Sequence, residues 1–269
     1  MTTVRDKLWI WGHEAGSHTT AEWGVPEPSR ITPVEGAFYM GLPNMILVRY
    51  GGKPQPPYHR YAVPFRALDR LVWSIVGAGG TTDAADRAHV LELARELPNM
   101  SGVMMDDFFH DTPGEKGFGA LSLDELRALR RQLELPGHPT LPKRRLDLWS
   151  VIYDRQLTLP LGEHLDLCDK VTLWFWRAAE LAHLEETFAA LEALAPRPGK
   201  LLGIYMFDYG EHRPMPLDLL EHECDTGLRW LRERRIEGLI FLATCICDLD
   251  LDAVEWTRRW IAKAGDEEL

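Results

Sequence analysis

"SGVMMDDFFHD" (residues 101–111) changes character midway. Residues 102–105 are unbroken apolar, the pattern of a strand buried on both faces. Asp106 and Asp107 follow at once, then Phe108, Phe109, His110 and Asp111. Two carboxylates at the end of such a strand make either a capped turn or a site. The fold decides which.

Seven more apolar runs accompany it: "LWIWG" (8–12), "MILVRYG" (45–51), "LVWSIVG" (71–77), "LDLWSVIY" (146–153), "KVTLWFW" (170–176), "KLLGIYMFDYG" (200–210) and "GLIFLAT" (238–244). Amphipathic segments at helical spacing separate most of them: 84–98, 122–135, 180–195, 216–234 and 250–265. Ser122 with Glu125, and Thr32 with Pro33 and Glu35, carry the signature of a helix start, which makes Glu35 a cap rather than a catalyst. Eight strand–helix units in 269 residues predict an α/β protein, a single-domain (β/α)8 TIM barrel over 1–269. An open doubly wound sheet is the alternative. It would favour Gly-rich phosphate loops, but "VGAGG" (76–80) lacks the full spacing and no P-loop occurs. The longest irregular stretch, 51–64, carries Pro54, Pro56, Pro57 and Pro64 and follows strand 2. It is expected to fold over the rim and to bring Tyr58, His59 or Tyr61 towards a pocket.

Composition narrows the function. Hydrophobic residues make up 45% of the chain, enough for a large core, and the formal net charge is −11. That charge disfavours nucleic acid, whose phosphates need a basic surface, and anionic membranes. No run approaches the ~20 apolar residues of a membrane span. The opening lacks the apolar core of a signal peptide, and the four cysteines form no CxxC pair, so a reduced, cytoplasmic setting is expected. The oligomeric state is not legible.

In a TIM barrel the site lies where the strands end. Those ends deliver His13 and Glu14, Tyr50, Gly79 and Gly80, Asp106 and Asp107, Tyr153 and Asp154, Trp176 and Arg177, then Asp208, Tyr209, Glu211 and His212, and Thr244 and Cys245. The set is acidic and aromatic at once. Sugar rings pack C–H faces on aromatics and donate hydroxyls to carboxylates, and glycosidic cleavage uses two carboxyl groups. Asp106, Asp107 and Asp208 are therefore the catalytic candidates. Asp107 is favoured over Asp106 as the pocket-facing partner of Asp208, although strand phase is not readable in a run buried on both faces. Glu14, His13, Tyr50, Tyr153, Trp176, Tyr209 and His212 are the substrate-binding candidates. Trp174 is assigned to core packing, and Trp176 at the strand tip is the better sugar platform. The partner expected is a small-molecule or oligosaccharide substrate, with no cofactor and no metal.

"GVMMDDFF" resembles the strand-4 acid motifs of the broad (β/α)8 glycoside hydrolase superfamily, and "YMFDYG" (205–210) resembles the Tyr-Asp strand motif of its chitinase-like members. The resemblance implies a barrel that cleaves glycosidic bonds. It departs in two places. Asp stands where common retaining barrels carry Glu on strands 4 and 7, and Phe108 stands where the chitinase-like motif ends in Glu. Two other functions fit the same rim. A metal-dependent sugar isomerase or epimerase would draw ligands from Glu14, Asp107, His110, Asp111, Asp208 and His212. A non-catalytic barrel would bind sugars without turnover.

Overall fold

The computed structural model describes residues 1–19, 21–137 and 142–269. Eight parallel strands close into a barrel: β1 (Leu8–Gly12), β2 (Asn44–Leu47), β3 (Arg70–Val76), β4 (Met100–Met105), β5 (Asp147–Tyr153), β6 (Lys170–Trp174), β7 (Gly199–Tyr205) and β8 (Gly238–Leu242). Each pairs with its neighbours in chain order. Closure comes from β1 against β8, with Leu8 opposite Leu239 and Trp11 opposite Leu242. The α/β barrel read from the sequence is therefore the fold.

The outer helices are α1 (Pro33–Met40), α2 (Ala84–Glu96), α3 (Leu123–Gln132), α4 (Gly162–Leu165), α5 (Leu184–Leu194), α6 (Leu217–Arg232) and α7 (Asp252–Ala264). Both capping boxes form. Thr32 N–H donates to Glu35 Oε2 at 2.8 Å and Ser122 N–H to Glu125 Oε2 at 2.8 Å, which satisfies backbone donors a helix start leaves free. Two units depart from the regular rhythm. A 3-10 turn (Val63–Ala67) stands between β2 and β3, and a 3-10 turn (Asp154–Gln156) with the single turn of α4 separates β5 from β6. The expected helix over 180–195 begins as a 3-10 segment, Ala178–His183, before α5.

Tryptophan fills the barrel interior. Trp9 and Trp149 meet edge to face across it with ring centroids 5.0 Å apart, and Trp11 meets Trp174 at 5.2 Å. Such contacts suit the quadrupole of the indole ring. Space for the indoles comes from glycine on adjacent strands. A Cβ on Gly203 of β7 would lie 2.1 Å from the Trp174 ring, and one on Gly102 of β4 would lie 3.0 Å from Trp149 Nε1. This packing fixes strand phase. Gly102 faces the interior, and alternation puts Met104 and Asp106 on the same face. Asp106 thus points towards the barrel axis.

The loop 51–64 takes a different course from the one expected. Tyr58 packs at a tilt on Trp73 at 5.1 Å, and Tyr61 packs on Trp73 and Phe65 at 6.3 and 5.7 Å. His59 is exposed. Apolar area drives the two tyrosines onto Trp73 and Phe65, so none of the three residues lines the cavity that holds Asp106. Among the described residues no helix is long and apolar enough to cross a membrane. All four cysteines are free and buried.

Candidate active site

At the C-terminal end of the barrel Asp106 N–H still donates to Val76 O of β3 at 3.0 Å, the last rung of the β3–β4 ladder. Asp107 then turns into the left-handed region at φ 45°. Its side chain is held from two sides: the Tyr153 hydroxyl donates to Oδ1 at 2.7 Å and Gly79 N–H donates to Oδ2 at 2.8 Å. Asp107 N–H in turn donates to Asp106 Oδ1 at 3.0 Å. His18 and His212 also sit at positive φ, 63° and 53°. Left-handed non-glycine residues cost energy and persist where the surroundings hold them, which is common at functional sites.

A cavity of about 70 Å³ opens beneath this rim. Asp106 and Asp107 line it beside His13, His18 and an aromatic wall that includes Trp11 and Trp174. Asp107, Tyr153 and Trp176 also border a wider cleft of about 410 Å³, shared with His110, Asp111 and Arg155. Trp176 and Arg155 continue into a third hollow of about 320 Å³ with Arg177 and Glu180. A larger groove of about 840 Å³ runs between α6 and α7, on the flank and away from these residues.

Most groups that line the small cavity are neutral. Burial first, then the charge of Asp107, raise the Asp106 pKa well above the usual carboxyl value, against the opposing pull of the Asp107 N–H. Burial and the neighbouring carboxylate therefore both favour the protonated form of Asp106. Burial likewise raises the phenols of Tyr153, Tyr205 and Tyr209, which stay protonated. His13 is pushed down to about 4 by burial. Its tautomer follows from its partners. Trp11 Nε1–H can only donate, so His13 Nε2 accepts at 3.1 Å, and the ring proton sits on Nδ1, bonded to Val48 O at 2.9 Å. Both ring nitrogens of His13 are thus committed inside the protein. His18 is held neutral by burial and by His13, and its Nδ1 pairs with the Tyr209 hydroxyl at 2.8 Å.

Of the residues expected from sequence, Asp106, Asp107, His13, Tyr50, Tyr153, Trp176 and Tyr209 meet around this cavity. Three do not. Asp208, in a short hairpin of Phe207–Asp208 with Arg213–Pro214, is fully buried and spoken for. Its Oδ2 accepts from Arg213 Nε at 3.2 Å and its Oδ1 from Glu211 N–H at 3.3 Å. It belongs to the turn, because a buried carboxylate must be paired. Glu14 borders a separate apolar hollow with Tyr61 and Phe65. His212 lies exposed with its ring near-parallel to Trp23 at 6.4 Å. Phe108, at the position of the chitinase-like Glu, is buried against Phe109 and His164.

Sequence reasoning missed His18, Trp23 and Tyr205, and it assigned Trp174 to the core alone. Tyr205 and Trp174 were within reach of strand alternation, since Tyr205 shares a face with Gly203 and Trp174 with Trp176. His18 and Trp23 come from the irregular chain after β1, where no periodicity points to them. Among the described residues no three of His, Cys, Asp and Glu gather as a metal site. The isomerase ligand set is dispersed: Asp208 pairs with Arg213, Asp111 with Arg155 at 3.5 Å, and Glu14 lies in the separate hollow.

Fold and rim together define a (β/α)8 barrel with acidic and aromatic residues at its C-terminal mouth, and solved structures share that fold. A xylanase and α-amylase inhibitor protein, XAIP-III, superposes with a TM-score of 0.58 at 12% identity, covering 96% of this chain and 99% of that one. Active domain 2 of a thermostable chitinase from Pyrococcus furiosus, solved with chito-oligosaccharides, gives 0.54 at 12% identity over 88% and 83%. A β-D-glucuronidase from Dictyoglomus thermophilum gives 0.55 at 10% over 97% and 51%. No protein-family model and no curated protein sequence matches the chain.

Proposed function

We propose that this barrel is a carbohydrate-active hydrolase that works on a glycosidic bond with Asp106 and Asp107. One observation carries the reading. A buried carboxyl group whose pKa is raised and a second one held by the Tyr153 hydroxyl and Gly79 N–H lie side by side, at the junction of an aromatic cavity and an open cleft. Proton donation at neutral pH needs an acid whose pKa is raised, and Asp106 has the burial and the charged neighbour that raise it. In this reading Asp106 gives its proton to the departing glycosidic oxygen. Asp107, fixed by Tyr153 and Gly79, faces the positive charge that grows at the anomeric carbon. Water adds its hydroxyl to that carbon, and its remaining proton returns to Asp106. Trp176, half-buried and common to all three hollows, offers the ring face on which a sugar stacks. Asp208, the partner expected from sequence, takes no part.

A second reading is a barrel that binds glycans without cleaving them. It is favoured by the size of the inner cavity, about 70 Å³ against the ~300–1,000 Å³ of ordinary small-molecule sites. A whole sugar ring would then rest in the outer cleft, out of reach of Asp106. A panel of linear glycans, chito-oligosaccharides among them, separates the two readings by calorimetric binding and by release of reducing ends. Binding with release that Asp106→Asn abolishes supports the hydrolase. Binding without release supports the second reading, and no binding removes both.

A further inference from the structure

The two sides of the rim differ. The open hollows draw on the loops after β3, β4, β5 and β6: Gly79, Asp107, His110, Arg155, Trp176 and Glu180. The loops after β1, β2 and β7 instead close on one another. Trp23 Nε1–H donates to the Tyr50 hydroxyl at 2.7 Å, and His18 bonds Tyr209 at 2.8 Å. The Trp23 ring stands edge-on to Tyr209 at 5.6 Å and to Trp176 at 5.9 Å, and it lies near-parallel to His212. Gly24, at φ 68°, lets the backbone behind Trp23 seat directly on the β7 turn: a Cβ there would lie 2.8 Å from His212 O. Trp23 thus bridges the mouth from Tyr50 to Trp176, as a wall on one side of Asp106 and Asp107.

We propose that the site takes the end of a glycan chain, with the terminal unit stopped against Trp23 and the rest of the chain leaving along Trp176 towards Glu180. This rests on the reading of Asp106 and Asp107 as a glycan-cleaving pair, and it adds the mode of attack. A site that cuts within a chain needs a groove passing its acids in both directions, whereas here, among the described residues, the hollows beside Asp107 lie on the side away from Trp23. Each event then releases a product of constant size from one end. One glycosidic C–O bond breaks, water supplies the hydroxyl to the anomeric carbon, and a proton goes to the departing oxygen. Trp23, with Tyr50 and His212 behind it, is the specificity-determining element.

The test uses chito-, cello-, xylo- and malto-oligosaccharides in three forms: free, capped with a bulky fluorophore at the reducing end, and capped with a bulky acetal at the non-reducing end. Calorimetry reads binding, and mass spectrometry reads early products. The expected result is that one cap lowers affinity by more than about tenfold, the other is tolerated, and products differ from substrate by one fixed unit. Trp23→Ala should restore binding of the blocked form. If that variant melts far below wild type, His212→Ala, which loosens the same wall from the surface, takes its place. Equal tolerance of both caps, with internal products appearing first, overturns the end-on mode and leaves the hydrolase reading standing. Failure of every glycan to bind overturns both.

Discussion

Replacing Gly203 by alanine probes the packing that sets the cavity floor. The new Cβ would stand 2.1 Å from the Trp174 ring, closer than any real contact. The indole has no easy retreat. It is buried, it meets Trp11 at 5.2 Å, and its Nε1–H donates to Thr172 Oγ1 at 2.8 Å. Forcing one methyl group into a close-packed interior costs ~1–3 kcal/mol, and losing the indole hydrogen bond adds about 1 kcal/mol. In a chain of this size each kcal/mol lowers Tm by roughly 2–4 °C, so the fall should be on the order of 4–16 °C. Scanning calorimetry measures it. Combining Gly203→Ala with Trp174→Phe should recover part of the loss, because the smaller ring leaves room for the methyl group, and the double-mutant cycle reads that coupling as ~0.5–3 kcal/mol. A Tm unchanged in Gly203→Ala, or strictly additive losses in the double variant, would refute the interlocking of β6 and β7.

The remaining predictions concern the rim. Folding favours protonated Asp106, so its contribution is full below the ordinary carboxyl pKa of 3.8 and is lost as pH rises towards the folded value. The melting temperature of wild type relative to Asp106→Asn should therefore fall as pH rises from about 4 to about 8, and a constant difference would contradict a buried, ionisable Asp106. His13 has the opposite sign: its folded pKa of about 4 lies below the ordinary imidazole value of 6.5, so stability is lost as pH falls through that window. In the Asp106→Asn background, where the carboxyl no longer offsets this, acidification should lower Tm monotonically in a pH series of melts. Arg213→Ala leaves the buried Asp208 carboxylate without its cation and should cost about 1–3 kcal/mol in denaturant melts, with wild-type turnover in the surviving folded enzyme. Tyr153→Phe removes the donor that orients Asp107 and should cut turnover while moving KM little, since the hydroxyl acts on the carboxylate rather than on the sugar. A change in KM alone would make Tyr153 a sugar contact.

The barrel was legible because its signals are local. Unbroken apolar runs mark strands buried on both faces, and Ser122 with Glu125 or Thr32 with Glu35 close hydrogen bonds within one turn. Part of the site was legible for the same reason: residues at strand ends converge once the barrel closes, which brought Asp106, Asp107, Tyr153, Trp176 and Tyr209 together. Strand phase was not legible in 102–105, where both faces are apolar. It became so only through the contact of Gly102 with Trp149, a pairing between different strands. Asp208 does not line the cavity, because its partner, Arg213, is brought back by a short hairpin that no periodicity announces. His18 and Trp23 come from irregular chain, and their place over the mouth depends on Tyr50 and Tyr209, far away in sequence. The loop 51–64 follows strand 2 as expected, yet its tyrosines pack on Trp73 and Phe65, since buried aromatic area outweighs position in the chain.

The most direct test of the account is release of reducing ends from the glycan panel by wild type and Asp106→Asn, side by side at neutral pH, with melting curves for both. The account predicts that wild type cleaves at least one glycan, and that the variant binds it with similar affinity, keeps or raises its Tm, and loses turnover by about a hundredfold or more, the usual worth of a general acid. Equal cleavage by both proteins would contradict it, because the proton would then come from some group other than the buried carboxyl of Asp106.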